Sequence, residues 1–145
     1  AVPPESLGVY RFDSGRGRWS FEGGDLEPGG ARMTLRFRRY GRFALLQDAS
    51  PPAILEVRPS PGSRGVARRV AVQARVEDEG EGLNYDGVVF EIDGRRLESE
   101  FDPDRGTSKV LEPPALAPGK HHIRVEAIDQ AGNRSAVVEG DFEAR

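Results

Sequence analysis

The clearest alternation of apolar and polar positions runs from Val70 to Val76. Val70, Val72, Ala74 and Val76 fall on one face, and Ala71, Gln73 and Arg75 on the other. A period of two is the mark of a half-buried strand. Comparable runs recur at 53–57, 88–92, 96–101, 108–111, 121–128 and 136–142. Turn-forming pairs such as Asp93-Gly94 and Pro118-Gly119 lie between them, and Asp129-Gln130-Ala131-Gly132-Asn133 closes the last hairpin. Short strands at this spacing predict a seven-strand antiparallel sandwich of immunoglobulin-like type over residues 49–145.

Residues 1–48 read differently. Runs at 9–12, 18–21, 32–38 and 41–46 predict four short strands, with turns at Ser14-Gly15-Arg16-Gly17 and Glu27-Pro28-Gly29-Gly30. In 32–38, Met33, Leu35 and Phe37 share one side while Arg32, Thr34, Arg36 and Arg38 share the other. The break falls at Asp48-Ala49-Ser50-Pro51-Pro52, since two prolines cannot continue a central strand. The predicted fold class is therefore all-β: a small antiparallel N-terminal β unit followed by the sandwich. About fifty residues is a thin basis for an independent core. The first unit is expected to pack on the second, or to be the remnant of a larger domain.

Composition narrows the function. Cysteine is absent, which removes disulfides, thiolate metal sites and cysteine nucleophiles. No apolar run is long enough to span a membrane, so no membrane insertion is expected. Residues 1–50 carry eight arginines against six acids, and the rest thirteen basic groups against eighteen acids. Neither part has the strongly basic balance of a nucleic-acid binder.

Catalytic patterns come up short. The only histidines, His121 and His122, are adjacent on a strand and face opposite ways, so they cannot chelate one metal; one partly buried and one surface ring is the expectation. H-E-x-x-H is missing, and Gly62-Ser63-Arg64-Gly65 is not a nucleophile elbow. The chain is not expected to be an enzyme.

Several landmarks occur in a familiar order: Asp48-x-x-Pro51-Pro52-x-Ile54, Val76-x-Asp78, Phe90-x-Ile92-Asp93-Gly94, Leu116-x-Pro118-Gly119-x-His121, and Ala127-x-Asp129-x-Ala131-Gly132-Asn133-x-Ser135. This pattern resembles the bacterial Ig-like and fibronectin-III-like modules of cell-surface and secreted proteins. Tyr10-Arg11-Phe12-Asp13, Trp19 and Gly41-Arg42-Phe43-Ala44-Leu45-Leu46 are similar to β-rich segments that precede such modules in large exported proteins, some of them peptidoglycan metallopeptidases. The resemblance implies a non-catalytic accessory region, extracellular, at the cell surface or periplasmic. Its partners would be other domains of the same polypeptide or another surface protein. The alternatives are a binding module for cell-wall glycan or peptide and, third, part of a peptidoglycan-processing enzyme.

One constellation carries chemistry of its own. In Ig-like topology the loop after the second strand and the turn after the sixth lie at one end of the sandwich, beside the entry point. Asp48, Asp78, Glu79, Glu81, Asp129 and Asn133 would then converge, and such oxygens suit calcium, which takes 6–8 hard ligands. The competing account is that Asp78 and Asp129 only cap turns through their own backbone. Asn133-Arg134-Ser135 also matches a glycosylation sequon, for which a turn residue is the better account. Arg36, Arg38, Arg39, Tyr40 and Arg42 form a basic and aromatic stretch that could touch anionic glycan or nucleic acid, although guarding a strand edge is the plainer reading. Tyr40 and Tyr85 are the candidate binding aromatics, while Trp19 is expected in the core.

Overall fold

A computed structural model describes residues 2–145. Apart from a 3-10 turn at Pro4–Ser6, the described regular elements are all strands. The N-terminal part contains β1 (Leu7–Asp13), β2 (Arg18–Gly23), β3 (Asp25–Leu26), β4 (Met33–Thr34) and β5 (Phe43–Gln47). β1 lies at the centre of an antiparallel sheet ordered β2-β1-β5. Its turn into β2 is held by the Asp13 carboxylate, whose Oδ1 accepts from the Gly15 and Arg16 amides at 2.9 and 3.2 Å. Tyr10 is buried edge-on against Phe21, with ring centres 5.4 Å apart.

Two expectations fail here. The run at 32–38 is not a strand of that length, for only Met33 and Thr34 pair, with β3. The alternation is nevertheless real. Leu35 reaches Gly23, and Phe37 packs on Phe43 at 5.1 Å between ring centres, so the apolar side lies against neighbouring structure. Alternation reports a two-faced extended segment, and a ladder also requires a free partner edge. Trp19 is not in the core either: it is 40% exposed and rests on Phe12 alone among the aromatic rings.

The second part contains β6 (Ala53–Arg58), β7 (Gln73–Glu77), β8 (Leu83–Ile92), β9 (Arg95–Leu97), β10 (Ser99–Asp102), β11 (Thr107–Val110), β12 (Gly119–Asp129) and β13 (Val138–Ala144). They form two four-stranded antiparallel sheets, ordered β10-β11-β7-β6 and β13-β12-β8-β9. Eight strands replace the seven expected. The run at 96–101 divides at Glu98, with β9 pairing to β8 and β10 crossing to pair with β11 in the other sheet. The inner faces meet in one core containing Val72, Ala74, Val76, Val88, Phe90, Ile123, Val125 and Phe142, with Phe90 and Ile123 fully buried. Val70 lies outside β7 but still packs against this core.

The long β6–β7 connection covers an otherwise free sheet edge. Gly62 and Val66 donate to the Asp141 and Glu143 carbonyls at 2.7 and 3.0 Å, and the Glu143 amide donates to Ser63 at 2.9 Å. β13 is thereby shielded from pairing with another chain.

Of the two histidines, His121 has a side chain 12% exposed and His122 one 47% exposed. His121 Nε2 lies 2.8 Å from the Ala117 carbonyl, four residues back, and Nδ1 lies 2.7 Å from Asp93 Oδ2. In immunoglobulin-like sandwiches a tyrosine near the start of the equivalent strand commonly ties that corner to the backbone upstream. Here an ionisable ring does so.

Candidate functional site

β5 delivers Asp48 to the point where the three-stranded sheet meets the sandwich. The Asp48 amide donates to the Ser6 carbonyl at 2.8 Å, extending the β1–β5 ladder. Its carboxylate turns toward the sandwich: Oδ1 accepts from the Ser50 amide at 3.0 Å and Oδ2 from the Glu81 amide at 2.7 Å. Asp48 is 3% exposed, so the contact is made away from solvent.

The loop after β7 supplies Asp78, whose Oδ2 accepts from the Gly80 and Gly82 amides at 3.0 and 2.7 Å. Gly80 is required at its position by space. A Cβ there would overlap the Asp48 carboxylate. Gly82 has φ +80°, the left-handed region that glycine tolerates without a steric cost. Asp129 stands at the end of β12 and is 4% exposed. Asn133 braces it: the Asn133 amide donates to Asp129 Oδ1 and Nδ2 to Oδ2, both at 2.8 Å. Nδ2 also reaches the Asp48 carbonyl at 3.2 Å.

These contacts bring carboxylate oxygens of Asp48, Asp78 and Asp129 within 4.8 Å of one another. Each comes from a different segment, and none pairs with a basic side chain among the described residues. Asp78 Oδ1 and Glu81 Oε1 are buried with no hydrogen-bond partner. Burial raises the Asp78 carboxyl above its ordinary value, and Asp48 and Asp129 push it in the same direction against the two backbone amides. Glu81 is also raised, by burial first and then by Asp48, Asp129 and Asp78. The same field, added to burial, lifts the Tyr10 hydroxyl to about 12. The site is thus an oxygen-lined cluster of buried and half-buried acids with no basic side chain paired to Asp48, Asp78 or Asp129 among the described residues.

Of the six residues proposed from sequence, Asp48, Asp78 and Asp129 meet, and Glu81 contributes a buried oxygen. Asn133 enters as a donor that orients Asp129. Glu79 is exposed and lies outside the three-carboxylate group, because the Asp78 turn bonds back on itself and leaves the intervening side chain facing water. Sequence reasoning missed Tyr10, whose place beside the acids depends on how the two parts dock. Of the candidate aromatics, Tyr40 is 95% exposed in the β4–β5 connection and Tyr85 is 70% exposed on β8, so they belong to different parts of the molecule.

No protein-family model matches the chain, and no curated protein matches it either. Among solved structures, the fibronectin(III)-like modules of CbhA from Clostridium thermocellum superpose on 99% of this chain and 80% of that one, with a TM-score of 0.50 and 16% identity. CopC from Methylosinus trichosporium OB3b covers 66% of this chain and 92% of its own, with a TM-score of 0.49 and 18% identity. Dimeric latent PorU from Porphyromonas gingivalis covers 68% of this chain and 11% of its own, with a TM-score of 0.49 and 25% identity. The protein has an all-β fold of the immunoglobulin or fibronectin-III-like kind. No helix among the described residues is long and apolar enough to cross a membrane.

Proposed function

We propose that this chain is a non-catalytic accessory module of an exported bacterial protein, one that spaces or docks other regions, and that a calcium ion at its internal junction fixes the geometry. The carrying observation is the meeting of Asp48, Asp78 and Asp129 from three segments, uncompensated by any basic side chain among the described residues. Asp48 comes from the three-stranded sheet, while Asp78 and Asp129 come from the two sheets of the sandwich. A cation bound by all three would join the parts, and loss of the cation would leave them repelling. The oxygen-only donor set and the spare Asp78 and Glu81 oxygens favour calcium over zinc, which prefers nitrogen and sulfur. The order of sequence landmarks supports the exported setting, where calcium is abundant.

The test is calorimetric titration with calcium and with magnesium, alongside limited proteolysis at residues 49–52. One calcium site, weaker magnesium binding and slower cleavage in calcium are expected. Absence of binding with unchanged cleavage would reduce Asp78 and Asp129 to turn caps and remove the cation from the reading.

A further inference from the structure

From Pro28 to Gln47 the chain contains five arginines and no acidic residue, within a protein whose net charge is −3. Arg32 lies 3.4 Å from Glu27 Oε1, at the start of the stretch. Arg36, Arg38, Arg39 and Arg42 are exposed, and none has such a partner among the described residues. Between them Tyr40 is 95% exposed, so its ring contributes nothing by burial to the fold. The edge-guarding role expected for these arginines does not apply, because 35–42 forms no strand.

The stretch is held in place. Phe37 packs on Phe43 at 5.1 Å between centres, closing residues 38–42 into a short loop, and Phe37 also meets Tyr40 edge-on at 6.1 Å. Gly41 backs onto Arg11, where a Cβ would lie 3.2 Å from Arg11 Cδ. The Arg42 guanidinium sits 4.5 Å from the centre of the Phe12 ring. A pinned loop loses less conformational entropy on binding than a free one.

We propose that this loop binds an acidic polysaccharide, with Tyr40 as the stacking platform for a sugar ring and Arg36, Arg38 and Arg39 pairing with carboxylates on neighbouring units. The guanidinium fork matches a carboxylate in two-point geometry. One almost fully exposed ring offers a platform for a single sugar face, whereas binders of single-stranded nucleic acid stack successive bases on several rings. The surface includes none of the three aspartates of the junction, so it stands apart from the cation reading.

The experiment is titration of the intact chain with polygalacturonate in chelator, with dextran as the neutral control and single-stranded oligothymidylate as the phosphate control. Saturable polygalacturonate binding is expected, weakened at least tenfold by Tyr40→Ala and by Arg38→Ala/Arg39→Ala, with melting temperatures unchanged. Raising sodium chloride from about 50 to about 300 mM should weaken it further. No polygalacturonate binding, tighter binding to the oligonucleotide, or binding indifferent to Tyr40→Ala would each overturn the proposal.

Discussion

Asp78→Asn tests the junction through a change of sign. The amide oxygen can replace Asp78 Oδ2, which accepts from Gly80 and Gly82, so the turn survives. The amide nitrogen then replaces Oδ1, the buried oxygen without a partner, and one negative charge leaves the cluster. At the 4.8 Å limit of this cluster, two carboxylates repel by about 3 kcal/mol at an effective dielectric of ~20. Asp78 is only partly buried, and solvent and proton uptake reduce the recoverable part to roughly 1–2 kcal/mol. Without calcium the variant should therefore be more stable than the parent, by about 4–8 °C in melting temperature at ~4 °C per kcal/mol. With calcium the order should reverse. For a dissociation constant of about 0.1 mM, ~10 mM calcium stabilises the parent by about 2.7 kcal/mol, more than the variant gains from losing the charge. A variant lacking one of three ligands should respond little.

Differential scanning calorimetry of both proteins in calcium and in chelator reads all four values. Acidity gives a second reading of the same charges. Asp78 and Glu81 have raised values in the folded state, so the cation-free protein should gain stability from them as pH falls through those values, while the calcium response fades. A parent unmoved by calcium, or a variant that shifts as much as the parent, would refute the reasoning. A variant less stable than the parent in chelator would assign Asp78 to turn capping alone.

Gly80→Ala should destabilise by roughly 1–3 kcal/mol, because a Cβ there displaces the Asp48 carboxylate; urea melts should show this loss together with a weakened calcium response. The His121 pKa is raised by the Ala117 carbonyl and then by Asp93, so the stability it contributes is present at low pH and lost as pH rises through its folded value. His121→Gln should flatten that alkaline limb, and an unchanged pH profile by calorimetry would remove the ring from the corner's stability. Phe90→Ala, at a fully buried position, should cost about 3–5 kcal/mol in chemical denaturation; a loss under 1 kcal/mol would mean the core collapses around it.

How far the sequence reached depended on the distance over which each signal acts. Period-two runs located most of the sandwich strands, because the same pleat that alternates the faces also fixes what is buried. The pattern could not show that 96–101 changes sheets at Glu98, since both halves alternate alike and only their partners, β8 and β11, differ. Likewise 32–38 has the alternation of a strand, yet its apolar side packs against the sheet through Leu35 and Phe37 without continuing the ladder. The acidic centre was legible for a different reason. Topology alone places the ends of β7 and β12 near the entry at Asp48, and those are the positions of Asp78 and Asp129. What topology could not assign was the direction of each side chain within its turn, so Glu79 and Asn133 read as ligands beside Asp78. Local hydrogen bonds set where they lie: Gly80 and Gly82 bind back to Asp78 and leave Glu79 exposed, and Asn133 Nδ2 donates to Asp129 and to the Asp48 carbonyl. The same bonds explain why the turn-cap and cation readings need not compete. Asp78 can cap its turn with Oδ2 while Oδ1 remains for a cation, so the contrast between calcium and chelator separates the two roles at a single residue.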